Sequence, residues 1–213
     1  MPKLKPQEIA QRRREIVEAA RRCFIRSGFH QTTTDEICRE ANITPGGLYH
    51  YFSGKDELIK AVVQAASENA VQLMRDAASE SPAPRAALRR VGELFLRAFY
   101  EPDSASATRL DLEIWSEGLR NEDLLAIIHQ SRAATRDSVA GVIREAVQRG
   151  EYTDRVDPVA LANLFIAIYT GLRLGRLLGP NDVTPEAVLD ALRMMVRGEL
   201  IVHPQESPAP SNS

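Results

Sequence analysis

Cysteine is scarce in these 213 residues: there are two, Cys23 and Cys38. They lie in helical surroundings with no metal-ligand spacing around them, so they support neither a disulfide framework nor a metal centre and read as reduced thiols. No unbroken apolar run reaches the roughly 18 residues that a membrane-spanning helix needs, and the N-terminus lacks the apolar core of a signal peptide. The expectation is a soluble, cytoplasmic chain with no membrane partner. An excess of one charge is also missing, since 27 Lys and Arg stand against 29 Asp and Glu for a net of −2. Catalytic patterns are wanting too. The 4 histidines (His30, His50, His129, His203) are scattered. No Ser or Cys has an acid–base partner at motif spacing, and neither a Gly-rich phosphate loop nor an H-E-x-x-H pair occurs. No catalytic residue, metal ligand or cofactor is expected, and the chain does not read as an enzyme.

What is present is unevenly placed. Residues 1–30 carry eight basic side chains (Lys3, Lys5, Arg12, Arg13, Arg14, Arg21, Arg22, Arg26) and three acidic ones (Glu8, Glu15, Glu18). That is a net of +5, which leaves −7 for the remainder of a chain whose total is −2. A basic end on an acidic body suits a protein with one phosphate-facing surface. An Arg-rich helix facing solvent is the plainer alternative.

Nothing reads as strand; apolar periods near 3.6 dominate and breakers fall where helices should end. The first helix spans Pro6–Ser27, with Ile16, Ala19, Ala20, Cys23 and Phe24 forming a one-sided stripe and Gly28 closing it. Thr34 is the expected N-cap of a short helix over 35–41, because Ile37 follows about one turn on. Asn42-Ile43-Thr44 is a turn, where Asn42 suits the left-handed conformation. A second short helix covers 45–51, with Pro45 at its first position. Ser53-Gly54 breaks the chain before a longer helix over 55–79. The segment ESPAP at 80–84 is the clearest boundary. Further helices are expected at 84–101, 104–119, 121–149, 157–178 and 184–202, about nine in all. In the long 121–149 segment Leu124, Ile128, Ser131, Thr135, Ser138, Val142 and Ala146 share one face. The fold class is therefore all-α: a basic flexible tail at 1–9, a three-helix N-terminal domain at 10–56, a larger helical domain at 57–203, and a polar, proline-rich disordered tail at 204–213.

The stretch 28–58 carries most of the functional information. Two short helices joined by a three-residue turn form a helix-turn-helix pattern, in which the second helix enters the major groove. Pro45-Gly46-Gly47 is poor helix-forming material, tolerable where backbone must approach DNA closely because glycine lacks a Cβ. The run TTTDEICREANITPGGLYHYFSGKDELI resembles the DNA-binding domain of the TetR/AcrR regulators. The resemblance lies on Thr34, Ile37, Ala41, Leu48, Tyr49, Tyr51, Phe52, Lys55 and Leu58, and upstream on Ile16, Ala20, Phe24 and Gly28. It is specific over roughly 10–60 and architectural beyond. Cys38 stands where the family usually has Ala, and Asn42 where it usually has Gly.

The resemblance implies a double-stranded DNA operator as partner, read by a homodimer. Thr34 and the free N–H groups of its helix suit a phosphate oxygen. Thr44, Pro45, Gly46 and Gly47 open the recognition helix; Thr44 can hydrogen-bond a base or phosphate, and Pro45 and Gly46 offer apolar contact. Tyr49 and Tyr51 can place hydroxyls on phosphates, and Lys55 reads as a phosphate clamp. His50 fits either a place near phosphates or simple exposure, while Leu48 and Phe52 read as core. With neither Arg nor Gln between Thr44 and Tyr51, bidentate base reading is unavailable there. Specificity is expected to rest on apolar contacts, DNA shape, Lys3 and Lys5.

For the larger domain the resemblance implies dimerisation by the last two helices, with Leu161, Phe165, Ile168, Leu172, Leu189, Leu192, Met195 and Val196 available; intramolecular core is the alternative. It also implies a pocket for a small-molecule effector. Phe95, Phe99, Trp115 and Tyr169 are the aromatics suited to line it, with Glu113, His129, Arg132 and Arg173 as polar groups, for a largely apolar ligand. Effector and operator would then oppose each other by linkage, typically ~1–3 kcal/mol. A helical ligand-binding or scaffold protein without operator binding is the competing reading.

Overall fold

A computed structural model describes residues 5–179 and, beyond them, 184, 187, 188, 190–192 and 194. The side chain of Phe99, together with Lys3, Leu189, Met195 and Val196, lies outside the described residues. The chain divides into two units, Met1–Gly179 and Pro180–Ser213. The helices of the first unit are α1 (Pro6–Ser27), α2 (Thr34–Glu40), α3 (Pro45–Tyr49), α4 (Lys55–Glu80), α5 (Pro84–Phe99), α6 (Ser104–Gly118), α7 (Glu122–Gln148) and α8 (Pro158–Leu178). Among the described residues there is no strand. Helical residues at 187, 188, 190–192 and 194 fall within the span expected for a ninth helix.

α1 forms for the reasons its sequence suggests. Pro6 takes the first helical position and the predicted stripe of Ile16, Ala19, Ala20, Cys23 and Phe24 is buried. Gly28 then turns the chain at φ 81°, its N–H returning to the Phe24 carbonyl at 2.8 Å. The start of α2 differs from expectation by one residue. Thr33, not Thr34, is the N-cap: its hydroxyl accepts the Glu36 N–H at 3.2 Å while the Glu36 carboxylate accepts the Thr33 N–H at 2.8 Å. A threonine three residues before a glutamate satisfies two orphan amides at once, which a cap at Thr34 could not do. That backbone hydrogen bond also holds the Glu36 carboxyl below its usual range. α3 is shorter than the expected 45–51 and ends at Tyr49, with His50 as its C-cap.

Two cores result. The first joins Ile16, Phe24, Ile37, Leu48, Phe52, Leu58 and Ile59 to Leu110 and Ile114 of α6 and Leu124 and Ile128 of α7. The second joins Met74, Ala87, Val91, Val139, Ile143 and Ala162 across α4, α5, α7 and α8. Between them α4 and α7 meet through polar groups, Ser67 donating to the Ser131 carbonyl at 2.9 Å beside Thr135 at 3.4 Å. The first core is continuous from the short helices into α6 and α7, so the N-terminal helices are seated directly on the larger body. Cys23 and Cys38 are buried free thiols, and burial pushes both up, so they stay protonated.

α8 departs from one expectation. It is long and apolar enough, by length and composition alone, to cross a membrane. The basic residues Arg173 and Arg176 near its end broke the apolar run on a residue-by-residue reading.

Candidate nucleic-acid interface

α3 reads Pro-Gly-Gly-Leu-Tyr, a composition and length that would not hold a helix alone. Its ends and one anchor keep it. Thr44 accepts the Gly47 N–H on Oγ1 at 3.1 Å, Pro45 occupies the first position, and Leu48 is fully buried behind the helix. The preceding turn is fixed from α1. Asn42 sits at φ 51°, in the left-handed region, and Arg12 donates to its carbonyl at 3.0 Å while pairing with Glu15 at 2.8 Å. This role for Arg12 had no signal in the sequence, since it links residues 30 positions apart.

Thr44, Pro45, Gly46, Tyr49 and His50 consequently face outward, and Tyr49 is 57% exposed. Gly47 and Tyr51 are half-buried; Tyr51 packs against the first core, and its ring meets that of His50 edge-on at 5.3 Å. The Thr44 oxygen is engaged in capping, but its O–H can still donate. A Cβ at Gly47 would press on Thr44 Oγ1 at 3.3 Å, whereas one at Gly46 would meet no protein atom within 4 Å. The protein's own packing therefore does not require glycine at 46.

Lys55 opens α4 as expected, but its ammonium turns inward. Nζ donates to the carbonyls of Phe29 (2.9 Å), His30 (3.2 Å) and Thr32 (3.2 Å), and it lies 4.7 Å from the centre of the Phe29 ring. An ammonium has three protons and three carbonyls receive them. The expected phosphate clamp is, in this geometry, a brace for the α1–α2 loop. The basic excess of α1 is also partly neutralised within the protein. Arg22 and Arg26 pair with Glu40 at 2.7 and 3.4 Å, and Arg21 pairs with Glu18 at 2.8 Å. The Arg22 hydrogen bond holds the Glu40 carboxyl below its usual range. Arg13 is stacked 4.6 Å over the Phe52 ring, with the Glu57 carboxylate within electrostatic reach, and Arg14 is bonded to neutral Gln11.

The residues expected around an effector separate into two groups. The Phe95 and Tyr169 rings meet at 4.9 Å, and Arg173 lies 5.6 Å over Tyr169. Arg173 also pairs with Asp111 at 2.6 Å and donates to Thr108 at 3.2 Å. Burial pushes the Asp111 carboxyl up against the opposing pull of Arg173, and burial likewise raises the Tyr169 phenol. Glu113 is not in this group: its carboxylate turns to the α1–α2 loop and accepts the Phe29 N–H at 2.6 Å. Trp115 packs on the first core with Arg132 5.9 Å over its ring, and His129 is exposed. Asp111 and Thr108, absent from the expected set, carry no motif that would have flagged them.

Of the residues expected at a dimer interface, Leu161 and Phe165 are half-buried against the protomer's own second core. Ile168, Leu172 and Leu192 are half-buried. Leu164, not anticipated, is 50% exposed.

An outward helix behind a left-handed turn, anchored by one leucine on a small core, defines a helix-turn-helix DNA-binding protein. Residues 16–62 match the profile described as bacterial regulatory proteins, tetR family, and residues 84–200 match the BetI-type transcriptional repressor, C-terminal. The chain belongs to the TetR family of transcriptional regulators. It is 28% identical over 189 residues to the HTH-type transcriptional regulator UidR of Escherichia coli K12, covering 88% of this chain and 92% of that one. It is 30% identical over 182 residues to TtgR of Pseudomonas putida, covering 83% and 85% respectively. Among solved structures, Salmonella enterica GusR superposes with a TM-score of 0.67 at 26% identity, covering 93% of this chain and 99% of that one. A TetR transcription regulator from Haloarcula marismortui shares the fold, with a TM-score of 0.71 at 22% identity over 88% and 96%.

Proposed function

We propose that this regulator is a repressor that grips a palindromic operator as a homodimer and releases it when a small, largely apolar effector binds between α5, α6 and α8. The observation that carries the operator reading is the surface of Thr44, Pro45, Gly46 and Tyr49, open to solvent above a buried Leu48. An exposed glycine costs up to about 0.5–1 kcal/mol relative to alanine, the full amount in a helix interior. Nothing inside the protein asks for it at 46, which supports a surface that approaches the backbone there from outside. Thr44 and Tyr49 would place hydroxyls on bases or phosphates, with His50, Tyr51 and the α2 N-terminus at Thr34 beside them. Arg13 and Arg14 supply charge at the rim, and Lys55 acts as a brace. DNA shape and apolar contact carry the specificity.

Dimerisation is assigned to α8, whose Leu164, Ile168 and Leu172 would meet a second copy. The effector site is assigned to Phe95, Tyr169, Arg173, Asp111 and Thr108, an aromatic pair beside a half-buried ion pair.

The test is a duplex selected by the protein from a random-sequence library, followed by mobility shift. A two-fold symmetric site is expected, with affinity falling steeply with salt at roughly 0.9 counterions per phosphate contacted. A protein that enriches no duplex while remaining folded would favour the scaffold reading. A compound that raises Tm should weaken operator binding by the same factor by which operator weakens the compound.

A further inference from the structure

We propose that Glu113, on α6 and remote from the DNA-contacting helices, is a positioning residue for operator binding: its carboxylate holds the Phe29 amide and so fixes the loop from which α2 and α3 are suspended. Phe29 is held from both sides. Its N–H donates to Glu113 Oε2 at 2.6 Å, and its carbonyl receives the Lys55 ammonium at 2.9 Å. The carboxylate also fits closely over the preceding residue. At Gly28, with φ 81°, a Cβ would meet Glu113 Oε1 at 2.9 Å and Oε2 at 3.2 Å. One turn further along α6, Glu117 Oε2 lies 3.9 Å from His30 Nε2.

The loop has little slack to absorb a movement of α6. Buried Thr32 donates to the Gly28 carbonyl at 2.7 Å and lies 3.2 Å from that of Cys23, and Thr33, the next residue, caps α2. A displacement of the Phe29 peptide is therefore delivered to the start of α2 within four residues. α2 carries the turn and α3 with it.

The same helix faces the other way two positions earlier. Thr108 and Asp111, a turn apart, engage Arg173 of α8, and at ~100° per residue Asp111 points about 200° away from Glu113. α6 thus has one polar face on the proposed effector group and another on the loop of the DNA-binding helices. This inference rests on the operator-binding reading, and Glu113 is the α6 carboxylate bonded to the loop that carries α2.

Three variants test it: Glu113→Ala, Glu113→Gln and Gly28→Ala, each measured on the duplex that the wild-type protein selects and by hydrogen exchange at the Phe29 amide. Glu113→Ala is expected to lower operator affinity by about ten-fold, the scale of a lost hydrogen bond to a charged group, and to speed Phe29 exchange while the α1 and α4 cores stay protected. Glu113→Gln keeps an oxygen at the same reach and should restore most of both. Gly28→Ala displaces the carboxylate from the opposite side and should resemble Glu113→Ala in both readouts. Unchanged affinity in a folded Glu113→Ala protein, or faster global exchange with no selective effect at Phe29, overturns the proposal. A wild-type protein that selects no duplex defeats the operator reading instead, and Phe29 exchange still reports whether Glu113 grips the loop.

Discussion

α3 and α8 both lie open in the single chain, and for opposite physical reasons. α3 with its caps buries one side chain, Leu48, and shows solvent the Thr44 hydroxyl, the Tyr49 phenol, the His50 imidazole and glycine backbone. Water solvates that surface well, so its exposure costs little. α8 has 21 residues and one fully buried side chain, Ala162, while Val159, Leu164 and Leu178 are 38, 50 and 81% exposed. Water solvates that surface poorly, at about 25 cal/mol per Å² of apolar area. The first surface suits a polyanion and should respond to salt; the second suits another copy of the same apolar helix and should not. With α8 as the proposed dimer contact, operator affinity would be a product of two contacts with different physics, which can be perturbed separately.

The sharpest separation is Leu164→Arg. A charge placed in the apolar contact should dissociate the dimer in sedimentation. It should also reduce operator affinity by about 10²–10⁴-fold, the gain that tethering two half-site modules brings, with the folded protomer retained. A dimer of unchanged strength would move the interface away from Leu164. Next in size is Gly46→Ala, where the two effects should have opposite signs. Stability should rise by up to about 0.5–1 kcal/mol because alanine is the better helix former, while operator affinity falls by about ten-fold as a methyl enters the space proposed for DNA. A variant that binds as well as wild type would show that the start of α3 stands clear of the duplex.

No larger but more diagnostic is the pair Tyr49→Phe and Arg13→Ala. Loss of one hydroxyl bond to a charged phosphate is worth about 1.5 kcal/mol, or roughly ten-fold, and should leave the salt slope alone because no counterion is involved. Arg13→Ala should instead make that slope shallower by about one. If the two variants shift the slope equally, the division of labour assigned to them is wrong.

Much of this arrangement was legible in the residues because it is local. The boundaries of α1 follow from Pro6, the apolar stripe and Gly28, and the outward place of Thr44, Pro45, Gly46 and Tyr49, with Leu48 turned inward, follows from the helix-turn-helix pattern. The Thr33 cap is legible too, in its three-residue spacing to Glu36, a signal stronger than the spacing of Thr34 to apolar Ile37. What could not be read is carried by contacts between distant parts of the chain. The inward ammonium of Lys55 needs carbonyls more than 20 positions earlier, and the bond from Glu113 to Phe29 spans 84 positions. A lysine at a helix start and a glutamate among aromatics look the same whether they face a ligand or a loop. The group expected around an effector shows this too: Phe95, Tyr169 and Arg173 converge, but the carboxylate that joins them is Asp111, two residues from the one expected.

That carboxylate supplies the smallest test, on the side of the protein away from DNA. Burial raises the Asp111 pKa above its ordinary 3.8, against Arg173. An acid whose folded pKa is raised weakens the fold while ionised, and that penalty is relieved as pH falls through the raised value towards the ordinary one. Glu36 and Glu57 have the opposite sign, because their carboxyls are held low by the backbone amides of Thr33 and Ser53. Their stabilisation is present above about 4.5 and is lost as pH falls through their lowered values. Those losses are common to wild type and Asp111→Asn and cancel when the two are compared. The wild-type urea midpoint should therefore rise relative to that of Asp111→Asn as pH is lowered from neutral through this window. A difference that stays constant or shrinks would mean that Arg173 and not burial governs the pair, and that the proposed effector site already holds its charge at little cost.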